Sequence, residues 1–240
     1  MLVFSVFFIA VAGYSQAARD KVDLYLIPGM ATDCRVFKYF EFDTSLVSPK
    51  EIRWDDWTGL EGLNDYAGVL AGQIDTTRSF ALLGVSMGGM LAMEIGRLVN
   101  PGAIILISSA RSPCEIPGRY KVGRMLPVYK WLNDSILNRV TAIKYTLRDI
   151  RSEEDKVLYQ QMVKETGAEF FKWQMNAVVN WKMDCVDPDI PKLHIHGSSD
   201  NILPVRKIQA DYIIQKGTHK MVINYSRQLS SMINDYLKQM

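Results

Sequence analysis

A chain of 240 residues is long enough for one domain with an insertion and for a full hydrophobic core. With 48% apolar and 22% charged residues the composition is that of an ordinary globular protein. A formal net charge of +2, with no Lys/Arg run interleaved with aromatics, argues against a nucleic-acid partner. No internal repeat or low-complexity tract is present.

In chain order, residues 2–12 come first as an almost unbroken apolar run, too short for a bilayer, which takes about twenty such residues. Ser15 and Ala17 then stand at minus three and minus one of a signal-peptidase-like site. Residues 1–17 are therefore predicted to be an export signal, which makes the protein periplasmic or secreted. Against this, the run has no preceding Lys or Arg; the alternatives are a cytoplasmic protein with an apolar first strand, or a misassigned start.

Apolar periodicity predicts a strand over 22–27, a helix over 35–40, a strand over 51–54, and a helix over 63–74 entered after Gly62 with Asn64 as cap. A buried strand over 80–83 runs into a helix carrying Met90, Leu91, Met93, Glu94, Ile95 and Leu98, and 103–107 is the next strand. Strands alternating with helices imply a mostly parallel sheet covered on both faces, with functional loops at the strands' carboxyl ends.

Between Ser108 and Pro191 the strand signal disappears. Ile136, Val140, Ile143, Leu147 and Ile150 recur at three- and four-residue steps, predicting an amphipathic helix, and a second helical stretch covers 153–181. The first half of this region is basic, with nine Lys/Arg against three Asp/Glu from Arg111 to Arg151. That excess reads either as a solvated helix face or as a surface for an anionic carrier or membrane headgroups. Aromatics Tyr129, Trp131, Phe170, Phe171, Trp173 and Trp181 pack this region or line an acyl pocket, and Trp54 and Trp57 are placed at a pocket rim.

The chemistry concentrates at Gly84-Val85-Ser86-Met87-Gly88, a G-x-S-x-G pentapeptide between the strand and the helix. Glycines at minus two and plus two of a serine let neighbouring segments approach a tight turn, and the helix N-terminus faces the hydroxyl. A serine nucleophile needs an imidazole to take its proton and a carboxylate to orient that imidazole. The three histidines, His194, His196 and His219, all lie downstream. His194 and His196 sit in an alternating strand, His194 directed into or across the sheet and His196 toward the loop, and are read as structural. Asp200 follows in the turn after that strand, ahead of a helix predicted near Pro204, and is otherwise a turn residue. His219 follows a short apolar stretch at 212–214; its alternative is a place beside the cap of the last helix.

With G-V-S-M-G-G at 84–89, H-G-S-S-D at 196–200, G-T-H at 217–219 and L-I-P-G-M at 26–30, the chain resembles the α/β-hydrolase family over about residues 22–110 and 189–240. The resemblance implies Ser86 as nucleophile, His219 as general base, Asp200 as orienting acid, and the backbone N–H groups of Met30 and Met87 as the oxyanion hole. Pro28 stands where family members often carry a histidine. The implied organisation is a hydrolase core at 18–110 and 189–240 with a helical cap inserted at 111–188. The expected activity is cleavage of a carboxylic ester or thioester of a small or acyl-chain substrate, without a cofactor. The competing readings are acyl transfer, carbon-carbon hydrolysis or elimination by the same residues, and a non-catalytic ligand-binding relative. Cys34, Cys114 and Cys185 show no zinc spacing and allow at most one disulfide within the chain.

Overall fold

The computed structural model describes residues 21–120, 149–183 and 188–239, with isolated positions between 131 and 147. The predicted export signal and most of the predicted 136–150 helix lie outside the described residues, although Leu147 and Ile150 are buried.

Six strands form one all-parallel sheet: β1 Val22–Ile27, β2 Val47–Glu51, β3 Phe80–Val85, β4 Ala103–Ile107, β5 Lys192–Gly197 and β6 Tyr212–Ile214. Their spatial order is β2-β1-β3-β4-β5-β6. Every residue of β3 and β4 is buried, as a parallel sheet covered on both faces requires.

The period-two alternation sorts these side chains between two cores. Tyr25, Ile27, Phe80, Leu82, Ile104 and Leu106 meet α1 (Leu63–Ala71), α2 (Met87–Val99) and part of α3 (Glu153–Val179). Leu24, Leu26, Ala81, Leu83, Val85, Ile105 and Ile107 meet Val36 and Phe37 and the stripe Leu229, Ile233 and Leu237 of the terminal helix. That helix, α5 (Ser226–Leu237), is preceded by the short α4 (Met221–Asn224).

Several boundaries differ from the sequence reading. The strand expected at 51–54 lies at Val47–Glu51, because an edge strand paired only with β1 tolerates Pro49 and exposed Lys50 and Glu51. The helix expected over 35–40 is a single 3-10 turn, Cys34–Phe37, capped by Asp33, which accepts from the Arg35 N–H at 2.9 Å. Helix α1 stops at Ala71, and its N-cap is Gly62 rather than Asn64, whose side-chain amide instead donates to Glu94 at 3.0 Å. Near Pro204 there is only the turn Val205–Lys207.

The long helix expected over 153–181 is present as α3 but breaks at Gly167, where φ 71° and ψ 160° leave the helical region. The break lets its two halves take different courses. Phe170 of the second half stacks on Trp57 with centroids 5.6 Å apart, and Trp173 meets Tyr66 edge to face with centroids 4.9 Å apart. The Trp173 indole N–H donates to Leu60 O at 2.8 Å and that of Trp181 to Glu94 at 2.5 Å. Trp54 and Trp57, both partly buried, thus pack against Phe170 of α3, and Trp54 also lines a surface pocket with Pro28, Asp33 and Arg53.

Cys114 is disulfide-bonded and Cys34 is a free thiol. Burial, with Glu51 and Asp33 adding to it, pushes the Cys34 thiol up to about 12, so it carries little thiolate at neutral pH.

Candidate functional site

Ser86 stands between β3 and α2 with φ 53° and ψ −121°, a conformation a side chain rarely takes unless its surroundings impose it. Its N–H donates to Ile107 O at the end of β4 at 3.0 Å. Its carbonyl accepts from Gly89 N–H at 2.9 Å, Met90 N–H at 3.3 Å and the Ser109 hydroxyl at 2.7 Å. The turn is possible only with glycines beside it: a Cβ on Gly84 would overlap the Gly88 carbonyl, and one on Gly88 would overlap the carbonyls of Ile27 and Pro28.

The loops after β5 and β6 bring the other two groups to the serine. They approach so closely that a Cβ on Gly197 would overlap the Gly217 carbonyl, and Ser199 N–H donates to Gly217 O at 2.8 Å. This contact fixes Asp200 against His219. One carboxylate oxygen of Asp200, Oδ2, lies 2.8 Å from His219 Nδ1; the other accepts from the Ile202 and Leu203 N–H groups, both at 2.8 Å. A carboxylate only accepts, so Nδ1 of His219 carries the proton and Nε2 is left as an acceptor. Ser86 Oγ lies 2.8 Å from that Nε2 and donates to it.

The three residues singled out from the sequence are thus brought into one hydrogen-bonded chain. The His219 side chain is 17% exposed and the Asp200 side chain 0% exposed, so solvent reaches the imidazole but not the carboxylate. Met87 opens α2, and Gly29 comes close enough to Ser86 that a Cβ on it would stand 3.4 Å from the serine Cβ. Met87 thus directly follows Ser86, Met30 is one residue beyond the Gly29 contact, and neither N–H donates to a described residue.

The two other histidines correct the expectation that they point apart. Two residues apart in β5, they share a face, with ring centroids 5.4 Å apart, and both are fully buried. His194 Nδ1 donates to Gln209 O at 3.2 Å, and burial, with smaller contributions from His196 and Arg111, pushes its pKa down to about 3. His196 Nε2 lies 2.7 Å from Leu203 O and 3.3 Å from Asp200 Oδ2, so this nitrogen carries a proton directed at the acid-bearing turn.

Burial alone would raise the Asp200 carboxyl, but hydrogen bonds from His196, His219 and Leu203 outweigh it and hold the group well below the usual carboxylate range. A folded-state value below the unfolded one means that its stabilisation is complete above about pH 4 and is lost as pH falls toward the folded value. Asp200→Asn is therefore expected to be less stable than the parent at pH 7 but to lose less stability between pH 5 and pH 3. Urea melts across that interval test this, and parallel slopes for the two proteins would refute it.

Sequence reasoning missed Ser109, which pins the Ser86 carbonyl, and Gln174 of α3, whose amide reaches the loop after β1; neither belongs to a motif. It also passed over Lys220, beside His219, whose Nζ lies 4.5 Å from the Tyr159 ring centroid and whose burial lowers its pKa to about 8.

No protein-family model and no curated protein matches this sequence. Solved structures do match its fold. MenH from S. aureus is 16% identical with a TM-score of 0.68, over 91% of this chain and 94% of that one. A structure from work on carboxylesterases of the thaumarchaeon Nitrososphaera gargenis is 13% identical with a TM-score of 0.72, over 91% and 90%. YbtT, a type II thioesterase of the yersiniabactin pathway, is 17% identical with a TM-score of 0.61, over 92% and 96%. With a six-stranded parallel sheet flanked by helices, the chain has the α/β-hydrolase fold.

Proposed function

We propose that this protein hydrolyses carboxylic esters or thioesters through an acyl-enzyme on Ser86. The observation that carries the reading is the chain from Ser86 Oγ to His219 Nε2, and from His219 Nδ1 to Asp200, each link 2.8 Å long. In this reading the Ser86 oxygen attacks the substrate carbonyl carbon while His219 Nε2 takes its proton, and Asp200 stabilises the resulting imidazolium. The carbonyl oxygen, now an oxyanion, is held by the Met30 and Met87 N–H groups, the second aided by the N-terminal dipole of α2. His219 then protonates the departing alcohol or thiol. Water, deprotonated by the same imidazole, attacks the acyl carbon and releases the acid and Ser86.

In this reading α3 (Glu153–Val179), which packs against the loop that carries Met30, forms part of the substrate pocket. Esterase and thioesterase relatives of the same fold support the choice of an acyl substrate without deciding between oxygen and sulfur leaving groups.

The test is hydrolysis of p-nitrophenyl esters from acetyl to palmitoyl by the protein and its Ser86→Ala variant, with a fluorophosphonate probe run in parallel. Turnover and labelling that both vanish in the variant are the expected result, and the best chain length measures the pocket. A chain that neither turns over any ester nor takes the probe would overturn the proposal.

A further inference from the structure

Gln174 lies in the second half of α3 and is 0% exposed. Its Oε1 accepts from the Ala31 N–H at 3.0 Å, a bond between positions 143 residues apart in the chain. Ala31 immediately follows Met30 and has φ 57°, a left-handed conformation that a residue with a Cβ seldom adopts unaided.

Both halves of α3 converge on this one residue. The first half ends at the break at Gly167, and on either side of it Val163 and Ala168 pack against Ala31 in a small buried cluster that Met30, Tyr159 and Phe171 border. The second half brings Gln174 to the Ala31 N–H. Packing therefore grips the side chain while a hydrogen bond holds the backbone of the same peptide. On the opposite side of the loop the Thr32 hydroxyl donates to Gly29 O at 2.9 Å, and the Trp54 indole N–H donates to Thr32 O at 2.6 Å.

The cost of this arrangement is visible at the other end of the Gln174 amide. Nε2 is buried with no hydrogen-bond partner among the described residues. A residue whose only role was to fill space here would be better served by methionine or leucine, which bury no donor. The amide is kept for its oxygen.

We propose that Gln174 is a positioning residue of the oxyanion loop: by holding Ala31 N–H it fixes the preceding peptide, so that Met30 N–H faces the carbonyl attacked by Ser86. The site is then competent only while α3 is seated, since the hydrogen bond that orders the loop comes from outside the sheet. This inference rests on the acyl-hydrolase reading, because a loop that stabilises no oxyanion needs no such alignment.

The experiment compares the wild type with Gln174→Met, which keeps length and apolar volume but has no strong acceptor. Three quantities are measured: kcat and KM on the best p-nitrophenyl ester, the thermal midpoint, and deuterium uptake of a peptide spanning residues 28–33. The expected result is a fall in kcat of about 10- to 100-fold with KM within about threefold, as loss of alignment at one oxyanion donor would give. The midpoint should stay within a few degrees, and uptake at 28–33 should rise. Unchanged kcat in a wild type that does turn over ester would overturn the positioning role while leaving the hydrolase reading intact. A wild type without Ser86-dependent turnover would overturn the hydrolase reading and the catalytic part of the inference. Unchanged uptake at 28–33 would overturn the clamp itself, whatever the activity. A Gln174→Met protein with a large drop in midpoint and proportionate changes in kcat and KM would show a structural role only.

Discussion

Replacing Ser86 with alanine is expected to lower kcat/KM for ester hydrolysis by at least about a thousandfold and to leave the protein folded. The hydroxyl is the only atom lost, and it is the one proposed to form the covalent bond; any residual rate would come from the oxyanion donors and substrate binding alone. The backbone does not depend on that hydroxyl. Its constraints are the Ser86 N–H bond to Ile107 O and the three donors on the Ser86 carbonyl, all of which survive in alanine. Combining Ser86→Ala with His219→Ala should cost little more than either alone, because an imidazole with no serine proton to take has nothing left to do. Steady-state kinetics with a thermal melt of each protein measures this. A Ser86→Ala protein within tenfold of the parent rate would place the nucleophile elsewhere.

The elements that bear on this result were unequally legible in the sequence. Strands β1 and β4 were readable to the residue, because β4 is a continuous apolar run and β1 is one interrupted only by Asp23, both in a sheet covered by helices. Ser86, Asp200 and His219 were singled out from motifs at the turns after strands, and hydrogen bonds join the three side chains. Edge strand β2 was misplaced by several residues since it carries Pro49 and only one buried residue, Val47, so it has almost no pattern to read. The break at Gly167 was invisible because glycine within a helical pattern is tolerated, and nothing local distinguishes one that breaks the helix. Gln174 was illegible for a different reason. Its partner is 143 residues away, and a polar residue among Trp173, Met175 and Asn176 carries no local sign of burial.

Gly88→Ala is expected to be severely damaging, lowering stability by about 3 kcal/mol or more, or preventing soluble protein from accumulating. The added Cβ would overlap the carbonyl oxygens of both Ile27 and Pro28, and backbone cannot rotate away as a side-chain tip can. Nor can α2 slide to make room. From Met87 to Gly96 every residue of that helix is buried, and a Cβ on neighbouring Gly89 would itself overlap the Ser109 side chain. The loop after β1 would have to retreat, carrying Met30 away from Ser86, so whatever fraction folds should also lose turnover. The comparison that isolates this crowding is Gly68→Ala in α1. There a Cβ meets nothing within 4 Å among the described residues, so the same methyl should stabilise the helix by up to about 1 kcal/mol through backbone entropy alone. Urea denaturation of the two variants beside the parent should give shifts of opposite sign. A Gly88→Ala protein as stable as the parent would mean that the strand-to-helix turn has slack in it, and that the strained serine is not held by the close approach of β1.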